Sequence, residues 1–305
     1  MIYIIKIKIK FLMRYLLEFF HYYFFYKKIN FPWKNYNFII ATKSGVFLAN
    51  TDGNIKILNG QYYGITRNKS RWIIFQSLPL LKKGRLVSID DNGNIETLLK
   101  DLSHGCHQID CKDNYLYVTD TYNNSIIKID SLNMNIVGRY YPIGPNYGDR
   151  SLSNYGHINS IFFNDDHIYI LCHNETMKTS KRSEVLKCDG NLNVLQRVEF
   201  QAGNAHNVVL YKGDLVICDS KGKRLVTEDG STQFKFENFT RGLSITDKYI
   251  VVGESEYAKR EERHAKGGWI NIFDLKWNLL SRQRISGMVQ EIRSIHESDR
   301  CMSGE

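Results

Sequence analysis

Three histidines of this chain recur at nearly regular intervals. His107, His157 and His206 are separated by 50 and 49 positions, so equivalent repeats of a repetitive fold would bring them together. Three neutral imidazoles with an open fourth position suit Zn²⁺ or Fe²⁺, and the metal would turn its bound water into a base or nucleophile. The first hypothesis is therefore a divalent metal centre held by these three side chains.

Other polar residues at related positions suggest what such a site would act on. Arg241 would hold an anionic substrate through its guanidinium fork, while Glu291 and Asn159 would orient an imidazole or bind hydroxyl groups. Asp120 and Asp219 either join the site or cap turns at strand corners. Three interpretations stay open: a metal-dependent enzyme, metal-free recognition of a small polar, anionic or sugar-like ligand, and a non-catalytic scaffold for protein–protein contacts.

The elements that must position these residues are short β-rich runs separated by turn signals such as TDGN, DDNGN and EDGS. This spacing is typical of an all-β protein, and a period of about 40–50 residues indicates a propeller or solenoid. Five segments share an anchor residue that is followed, nine positions later, by the first apolar residue of a second strand. The pairs are Gly64 and Ile73, His107 and Leu116, Asn159 and Ile168, His206 and Leu215, and Arg241 and Ile250.

The third repeat shows four strands in succession: HQIDCK, YLYVTD, SIIKID and NIVGRYY. Four strands per repeat is the blade of a β-propeller. A sixth repeat begins at Glu291 (EIRSI) without its later strands, and three strands without a first one (NFIIAT, GVFLAN, NIKIL) lie within residues 37–58. The sequence thus predicts an all-β, six-bladed β-propeller with four-stranded blades, closed by the C-terminal strand joining the N-terminal blade, which removes exposed sheet edges.

Several segments between about His104 and Ile295 resemble a known family. They are GHINSIFF, AHNVVLYKGDLVICDS, FTRGLSITDKYIVVGES, GGWINIFD and MVQEIRSI, and they are similar to an uncharacterised propeller family catalogued as a domain of unknown function, the 4915 family. The resemblance implies one propeller domain and carries no activity. YVTDTYNNSIIKID, in the third repeat, also resembles NHL-type repeats in a generic way.

Residues 1–35 are apolar, aromatic and basic, unlike the rest of the chain. Arg14 and Glu18 interrupt any window long enough to span a bilayer, which leaves an interfacial anchor, a signal or signal-anchor, or a poorly ordered extension in which Met13 is the true start. The predicted organisation is an extension over residues 1–35, a propeller over 36–300 and a tail over 301–305. A weak membrane-surface contact is expected through residues 1–35.

Charge and motif content narrow the classes of partner. Seven basic residues and one acid within 1–35 give +6 of the net +9, so the rest of the chain carries only +3, too little for a basic nucleic-acid stripe. No P-loop and no G-x-G-x-x-G before a helix is present, so no nucleotide cofactor is expected. The six cysteines lack zinc-site spacing, and a disulfide framework is not expected in a chain of this size, which indicates a reducing compartment. We expect a cytoplasmic monomer that binds a small polar or anionic ligand.

Overall fold

The structure is a computed structural model that describes residues 9, 12–13, 15–20, 33–146, 149, 151, 155–164, 167–257 and 266–302. Within them, six antiparallel four-stranded sheets form the six blades of a β-propeller. The fold is the one predicted from the repeats. Most of the predicted extension over residues 1–35, and residues 303–305 of the predicted tail, lie outside the described residues.

The strands of each blade are given below in order from the inner strand, which lines the channel, to the outer strand. Blade 1 contains β24 (Val289–Ser294), β1 (Phe38–Thr42), β2 (Gly45–Ala49) and β3 (Asn54–Asn59). Blade 2 contains β4 (Gln61–Asn68), β5 (Arg71–Leu78), β6 (Lys83–Asp90) and β7 (Ile95–Ser103). Blade 3 contains β8 (Cys106–Lys112), β9 (Tyr115–Asp120), β10 (Ser125–Asp130) and β11 (Ile136–Tyr140).

The remaining three blades follow the same plan. Blade 4 contains β12 (Ile158–Asn164), β13 (His167–Cys172), β14 (Glu184–Cys188) and β15 (Val194–Glu199). Blade 5 contains β16 (His206–Tyr211), β17 (Asp214–Asp219), β18 (Arg224–Thr227) and β19 (Thr232–Lys235). Blade 6 contains β20 (Phe239–Ile245), β21 (Ile250–Ser255), β22 (Gly267–Phe273) and β23 (Leu279–Ser286). Short helical segments occupy Trp33–Asn35, Thr121–Asn123 and α1 (Thr176–Thr179).

Blade 1 is assembled from both ends of the propeller. The C-terminal strand β24 pairs antiparallel with β1, and Glu291 lies opposite Ala41. Val289 and Ile292 of β24 are fully buried, in a cluster that also contains Ile40 and Val251 from blades 1 and 6. The predicted closure by the C-terminal strand is therefore confirmed, and it places Glu291 on an inner strand.

The burial of each strand follows its distance from the propeller axis. Inner strands such as β16 are buried along nearly their whole length, whereas outer strands such as β15 expose most of their residues. The apolar runs of the inner and middle strands pack between neighbouring blades. This packing supplies the hydrophobic stabilisation that holds the blades around the channel.

The chain after β24 contacts the inner strands of three adjacent blades, 6, 1 and 2. The carboxylate of Asp299 accepts hydrogen bonds from Ser244 Oγ (2.7 Å) and from the backbone N–H groups of Ser294 (2.8 Å) and Cys301 (3.0 Å). Arg67 donates to the carbonyl of Ile295 at 2.9 Å. These contacts lie near the C-terminal ends of the inner strands β4, β20 and β24. No helix among the described residues has the length and apolar character needed to cross a bilayer.

Candidate functional site

A β-bulge interrupts all six inner strands near their first residues. The pairing register shifts between Ala41 and Thr42 opposite β24, and at Tyr62–Ile65, Cys106–Ile109, Ile158–Ser160, His206–Val208 and Thr240–Leu243. A bulge bends the strand and re-aims its side chains. The anchor residues of the repeat fall within or beside these bulges, so the fold presents them at one end of the channel.

One cavity at this end is lined by all six anchors: Gly64, His107, Asn159, His206, Arg241 and Glu291. The cavity itself has a volume of about 10 Å³, enough for one water molecule, and it opens into a mouth that brings the empty space, solvent included, to about 190 Å³. The structure therefore brings together five of the six predicted polar site residues in one cavity. The sixth, His157, contacts the ring of His107 at 5.4 Å between centroids. The metal-binding and catalytic roles assigned to these residues stay predictions.

The residues that follow three of the six anchors tie the inner strands of blades 3 to 6 together. Gln108 Oε1 accepts the backbone N–H of Ile161 at 2.8 Å, and Ser160 Oγ accepts that of Asn207 at 2.9 Å. Asn207 Oδ1 in turn accepts the N–H of Gly242 at 2.8 Å. Because each bond crosses from one blade to the next, the positions of the anchors are fixed relative to one another before any ligand binds.

His107 is held as a neutral base. Its Nδ1 lies 2.8 Å from the carbonyl of Gly105 and 2.7 Å from Thr121 Oγ1, whose own proton goes to the carbonyl of Ile158 at 2.6 Å. A carbonyl only accepts, so Nδ1 carries the proton and Nε2 is an acceptor. Burial, aided by the positive charge of Arg241, holds the pKa of His107 well below its usual value.

His206 repeats this arrangement two blades away. Its Nδ1 lies 2.9 Å from Ser220 Oγ, and that hydroxyl donates to the carbonyl of Thr240 at 2.5 Å. The imidazole therefore donates through Nδ1 and keeps Nε2 as an acceptor. Burial, then Arg241, lowers the pKa of His206 well below its usual value. The cavity thus has two neutral imidazoles of the same tautomer.

His157 and a fourth histidine, His173, bridge the gap between these two rings. His157 Nδ1 lies 3.3 Å from Glu175 Oε1 and 3.2 Å from the Tyr155 hydroxyl. Lys178 Nζ lies 2.5 Å from the other oxygen of Glu175. Because the backbone N–H of Glu175 donates to His173 Nδ1 at 3.0 Å, His173 carries its ring proton on Nε2.

Ring contacts connect these side chains into an arc around the mouth. Centroid distances along it are 4.9 Å for Tyr63–His107, 5.4 Å for His107–His157, 4.3 Å for His157–His173, 5.2 Å for His173–His206 and 5.7 Å for His206–Phe239. Backbone φ is positive at His157 (52°), Glu175 (46°) and Asn207 (52°). For His157 and Glu175 this left-handed conformation costs of order 1–3 kcal/mol each, whereas Asn adopts it readily.

Two cationic side chains lie against the ring of Tyr63 at the cavity. The Arg241 guanidinium carbon lies 5.7 Å from the centroid of the Tyr63 ring, and Lys43 Nζ lies 4.1 Å from the same centroid. Lys43 also donates to the Tyr63 hydroxyl. Arg241 is only 8% exposed, so its charge is weakly screened and acts strongly on groups in the cavity.

Glu291 is the acid of the cavity. Its Oε1 accepts from Asn207 Nδ2 and from Arg293 Nη1, both at 2.8 Å. Burial raises the pKa of Glu291 to about 7, against the opposing effects of Arg293 and Arg241. A carboxyl group with this pKa exchanges protons near neutral pH, as a general acid or base must.

Two amide oxygens in the cavity lining are buried without a hydrogen-bond partner among the described residues. They are Asn159 Oδ1 and Gln290 Oε1. Asn159 uses its Nδ2 to donate to the carbonyl of Ala205 at 2.8 Å, which fixes the orientation of its amide. A buried acceptor without a donor costs about 1–3 kcal/mol, so both oxygens favour a bound donor such as a hydroxyl group or water.

The donor set does not fit a metal ion as these side chains stand. Among the residues that the structure describes, no group of three His, Cys, Asp or Glu is arranged to hold one. His173 accepts the N–H of Glu175 through Nδ1, so its proton lies on Nε2 and neither nitrogen is open to a metal. The Glu175 carboxylate beside His157 Nδ1 is a contact that metal-binding histidines also make. Zn²⁺ or Fe²⁺ bound by His107, His157 and His206 stays a prediction.

Asp120 and Asp219 bond within and beside their own blades. Asp120 Oδ2 pairs with Arg139 Nη1 at 3.2 Å, and Asp219 Oδ2 with Arg224 Nε at 2.9 Å. Asp219 Oδ1 also accepts the backbone N–H of Gly222 at 2.9 Å. Neither carboxylate lines the cavity, so of their two predicted roles these contacts fit the structural one.

His173 and Tyr63 are site residues that the sequence reasoning missed. Thr121, His173, Ser220 and Ser255 each lie fourteen positions after an anchor, where the chain leaves the second strand. Asp120 and Asp219, the candidates taken from this region, lie one position earlier. An offset of fourteen from the anchor is therefore the sequence signal for three site residues. It identifies Thr121 and Ser220, whose hydroxyls orient His107 and His206, and it identifies His173.

Comparison with known proteins shows the fold. The chain is similar to a protein of unknown function from Bacteroides caccae (12% identity, 86% of this chain and 100% of that one, TM-score 0.57). It is also similar to a chain of a nidogen/laminin complex (8% identity, 85% and 97%, TM-score 0.61) and to a luciferin-regenerating enzyme (8%, 75% and 78%, TM-score 0.52). These neighbours include an enzyme and a protein-binding module, so the shared fold does not assign a function.

No protein-family model matches the chain, and no curated protein sequence matches it. Membership of the 4915 family stays a prediction, while the six-bladed propeller that this resemblance implied is confirmed. The comparisons identify the chain as a six-bladed β-propeller similar in fold to proteins of differing function.

Proposed function

We propose that this propeller binds a small hydroxylated anion in the channel mouth without a metal ion. The observation that carries the proposal is the placement of Arg241 beside two buried imidazoles that are fixed as neutral acceptors. A guanidinium recognises a carboxylate or phosphate. Acceptor nitrogens recognise hydroxyl groups. Together they select a ligand that carries both.

The charges at the mouth favour the anionic half of this ligand. Arg241 and Lys43 flank Tyr63, and the carboxylate of Glu175 is already paired with Lys178. Glu291 carries only part of a negative charge near neutral pH because its pKa is raised to about 7. A carboxylate that enters the mouth would therefore lie close to the positive charges of Arg241 and Lys43.

The acceptors favour the hydroxylated half. Nε2 of His107 and Nε2 of His206 are acceptors, and the buried oxygens of Asn159 and Gln290 lack a donor among the described residues. A polyol chain supplies several O–H donors at once, whereas a simple anion supplies none. Rejection of a ligand that leaves such buried groups unpaired is a strong source of specificity.

A second candidate is an enzyme that acts on the same class of ligand. Glu291, with a pKa of about 7, would exchange a proton with the bound ligand. His157, oriented by Glu175, would act as a second base at the rim. Binding is required in both cases, so the binding experiment comes first.

Isothermal titration calorimetry with three small molecules tests the proposal. Gluconate carries hydroxyl groups and a carboxylate, sorbitol only hydroxyl groups, and acetate only a carboxylate. We expect measurable binding of gluconate and much weaker binding of the other two. Arg241→Gln should weaken gluconate binding roughly 10–100-fold, as loss of a charge-assisted hydrogen-bonded pair does.

The matched control is Arg300→Gln. Arg300 is a half-exposed arginine that pairs with Asp247 at the other end of the channel (2.7 Å), so its loss should leave the affinity unchanged. Equal affinity for gluconate, sorbitol and acetate would refute the proposal. An equal effect of the two arginine variants would refute it as well.

A further inference from the structure

An apolar helical face near the N-terminus is exposed to solvent. Residues 15–20 are helical, as are Leu12 and Met13. At 100° per residue, five apolar side chains fall within an arc of about 140°. They are Leu12, Met13, Leu16, Leu17 and Phe20, and each is at least 40% exposed.

The opposite side of this helix contacts the propeller. Glu18 lies across the helix from the centre of the apolar arc, and its Oε2 accepts the backbone N–H of Leu80 at 2.9 Å. The centre of the apolar arc is therefore turned away from Leu80, and Tyr15 and Phe19, which lie nearer to Glu18 on the helix, are each 38% exposed as well. In a helix that packs on its own domain the apolar face is turned inward, so this helix presents an interaction surface.

The contact with Leu80 also fixes which end of the propeller carries the helix. Leu80 lies in the turn between β5 and β6, directly after Leu78, the last residue of β5. Second strands run antiparallel to inner strands, so β5 ends where β4 begins. The helix consequently sits at the end of the propeller that holds the channel mouth.

We infer that this face docks the protein on an anionic lipid bilayer, with the channel mouth towards the membrane. The surrounding residues 1–35 have seven basic side chains against one acidic one and are rich in Phe and Tyr. A segment that combines Leu and Phe with several Lys and Arg has the composition of helices that lie in the membrane interface. The basic side chains match the negative surface potential of anionic lipids.

Sedimentation of the full chain with lipid vesicles tests the inference. Vesicles of phosphatidylcholine containing roughly a quarter phosphatidylserine should bind the protein, and pure phosphatidylcholine vesicles should bind it at least about tenfold more weakly. Binding should weaken at ~0.5 M salt because exposed charges are then screened. Leu16→Glu/Leu17→Glu should weaken binding at least about tenfold.

The matched control is Leu132→Glu/Leu195→Glu, which changes two exposed leucines of blades 3 and 4 (72% and 58% exposed) and should bind vesicles like the wild type. All three proteins should unfold at the same temperature. Absence of binding to the anionic vesicles, or equal binding by the two double variants, would overturn the inference. A wild-type dimer in light scattering that Leu16→Glu/Leu17→Glu dissociates would assign the face to a second copy of the chain instead.

Discussion

The neutral state of the two anchor histidines predicts an unusual pH dependence of stability. The pKa of His107 and that of His206 are both held well below the usual value in the folded protein, so below about pH 6.5 the unfolded chain binds protons that the folded chain does not. Each histidine then lowers the free energy of unfolding by up to ~1.4 kcal/mol per pH unit of acidification. The two together contribute about 3 kcal/mol per unit.

Glu291 acts in the opposite direction over the same window. Its pKa is raised to about 7 from 4.5, so between those values the folded protein holds a proton that the unfolded chain releases. Acidification from pH 6.5 to 5.5 therefore adds up to ~1.4 kcal/mol of stability through Glu291. For the three groups together, the net expectation for the wild type is a loss of about 1 kcal/mol per unit.

Replacing both histidines should reverse this slope. Asn places an amide N–H close to the position of Nδ1 and does not titrate, so His107→Asn/His206→Asn removes the histidine contribution and leaves that of Glu291. We expect the variant to gain about 1 kcal/mol from pH 6.5 to 5.5, where the wild type loses about that much. Urea unfolding followed by Trp fluorescence at both pH values measures the difference. The control is His296→Asn, which replaces an exposed histidine and should keep the wild-type dependence of stability on pH. Equal pH dependence in the wild type and His107→Asn/His206→Asn would refute the assignment of neutral, buried imidazoles.

Three other substitutions test the fold and the orientation of the site. Gly64→Ala should destabilise by about 1–3 kcal/mol, because the added Cβ would lie 2.5 Å from the backbone N of Ile109. Gly190→Ala is the control: its Cβ would meet no atom within 4 Å, so its free energy of unfolding in urea should be nearly unchanged. Ile292→Ala, in the closing strand, should cost about 2–5 kcal/mol, against less than ~0.5 for the exposed Leu279→Ala. Ser220→Ala should weaken gluconate binding in calorimetry, and it should also destabilise by about 1–3 kcal/mol because the buried His206 Nδ1–H and Thr240 carbonyl lose their partner.

The repeat made the fold predictable. The nine-residue spacing between the anchor and the second strand is set locally by a bulged hairpin. The same spacing therefore recurs in the sequence wherever that hairpin is repeated. The split blade was predictable for the same reason, since Glu291 opens a repeat whose remaining strands occur only near Phe38. Both inferences need strand periodicity and no knowledge of side-chain direction.

The chemistry of the site was less predictable. Whether His107 binds a metal or accepts a hydroxyl depends on which nitrogen carries the proton, and Thr121 and Gly105 decide this through contacts formed only in three dimensions. Asp120 and Asp219 have the residue type of site acids, yet nearby arginines engage them. The spacing of the anchors in the sequence predicted that these side chains lie on one rim. Which of them carry a proton, accept a hydrogen bond or pair with an arginine depends on contacts that only the folded structure shows.

Calorimetry of gluconate binding by chelator-treated protein tests the central claim most directly. A carboxylate beside Arg241 offsets the positive charge that helps to lower the pKa of Glu291, which lies at about 7, so binding should take up a proton at this carboxyl group while His107 and His206 stay neutral. We predict that binding survives removal of metal by EDTA and tightens as pH falls from 7.5 to 6.5, by up to about tenfold for each proton taken up. Loss of binding after EDTA, restored by Zn²⁺ or Fe²⁺, or an affinity independent of pH, would contradict the account.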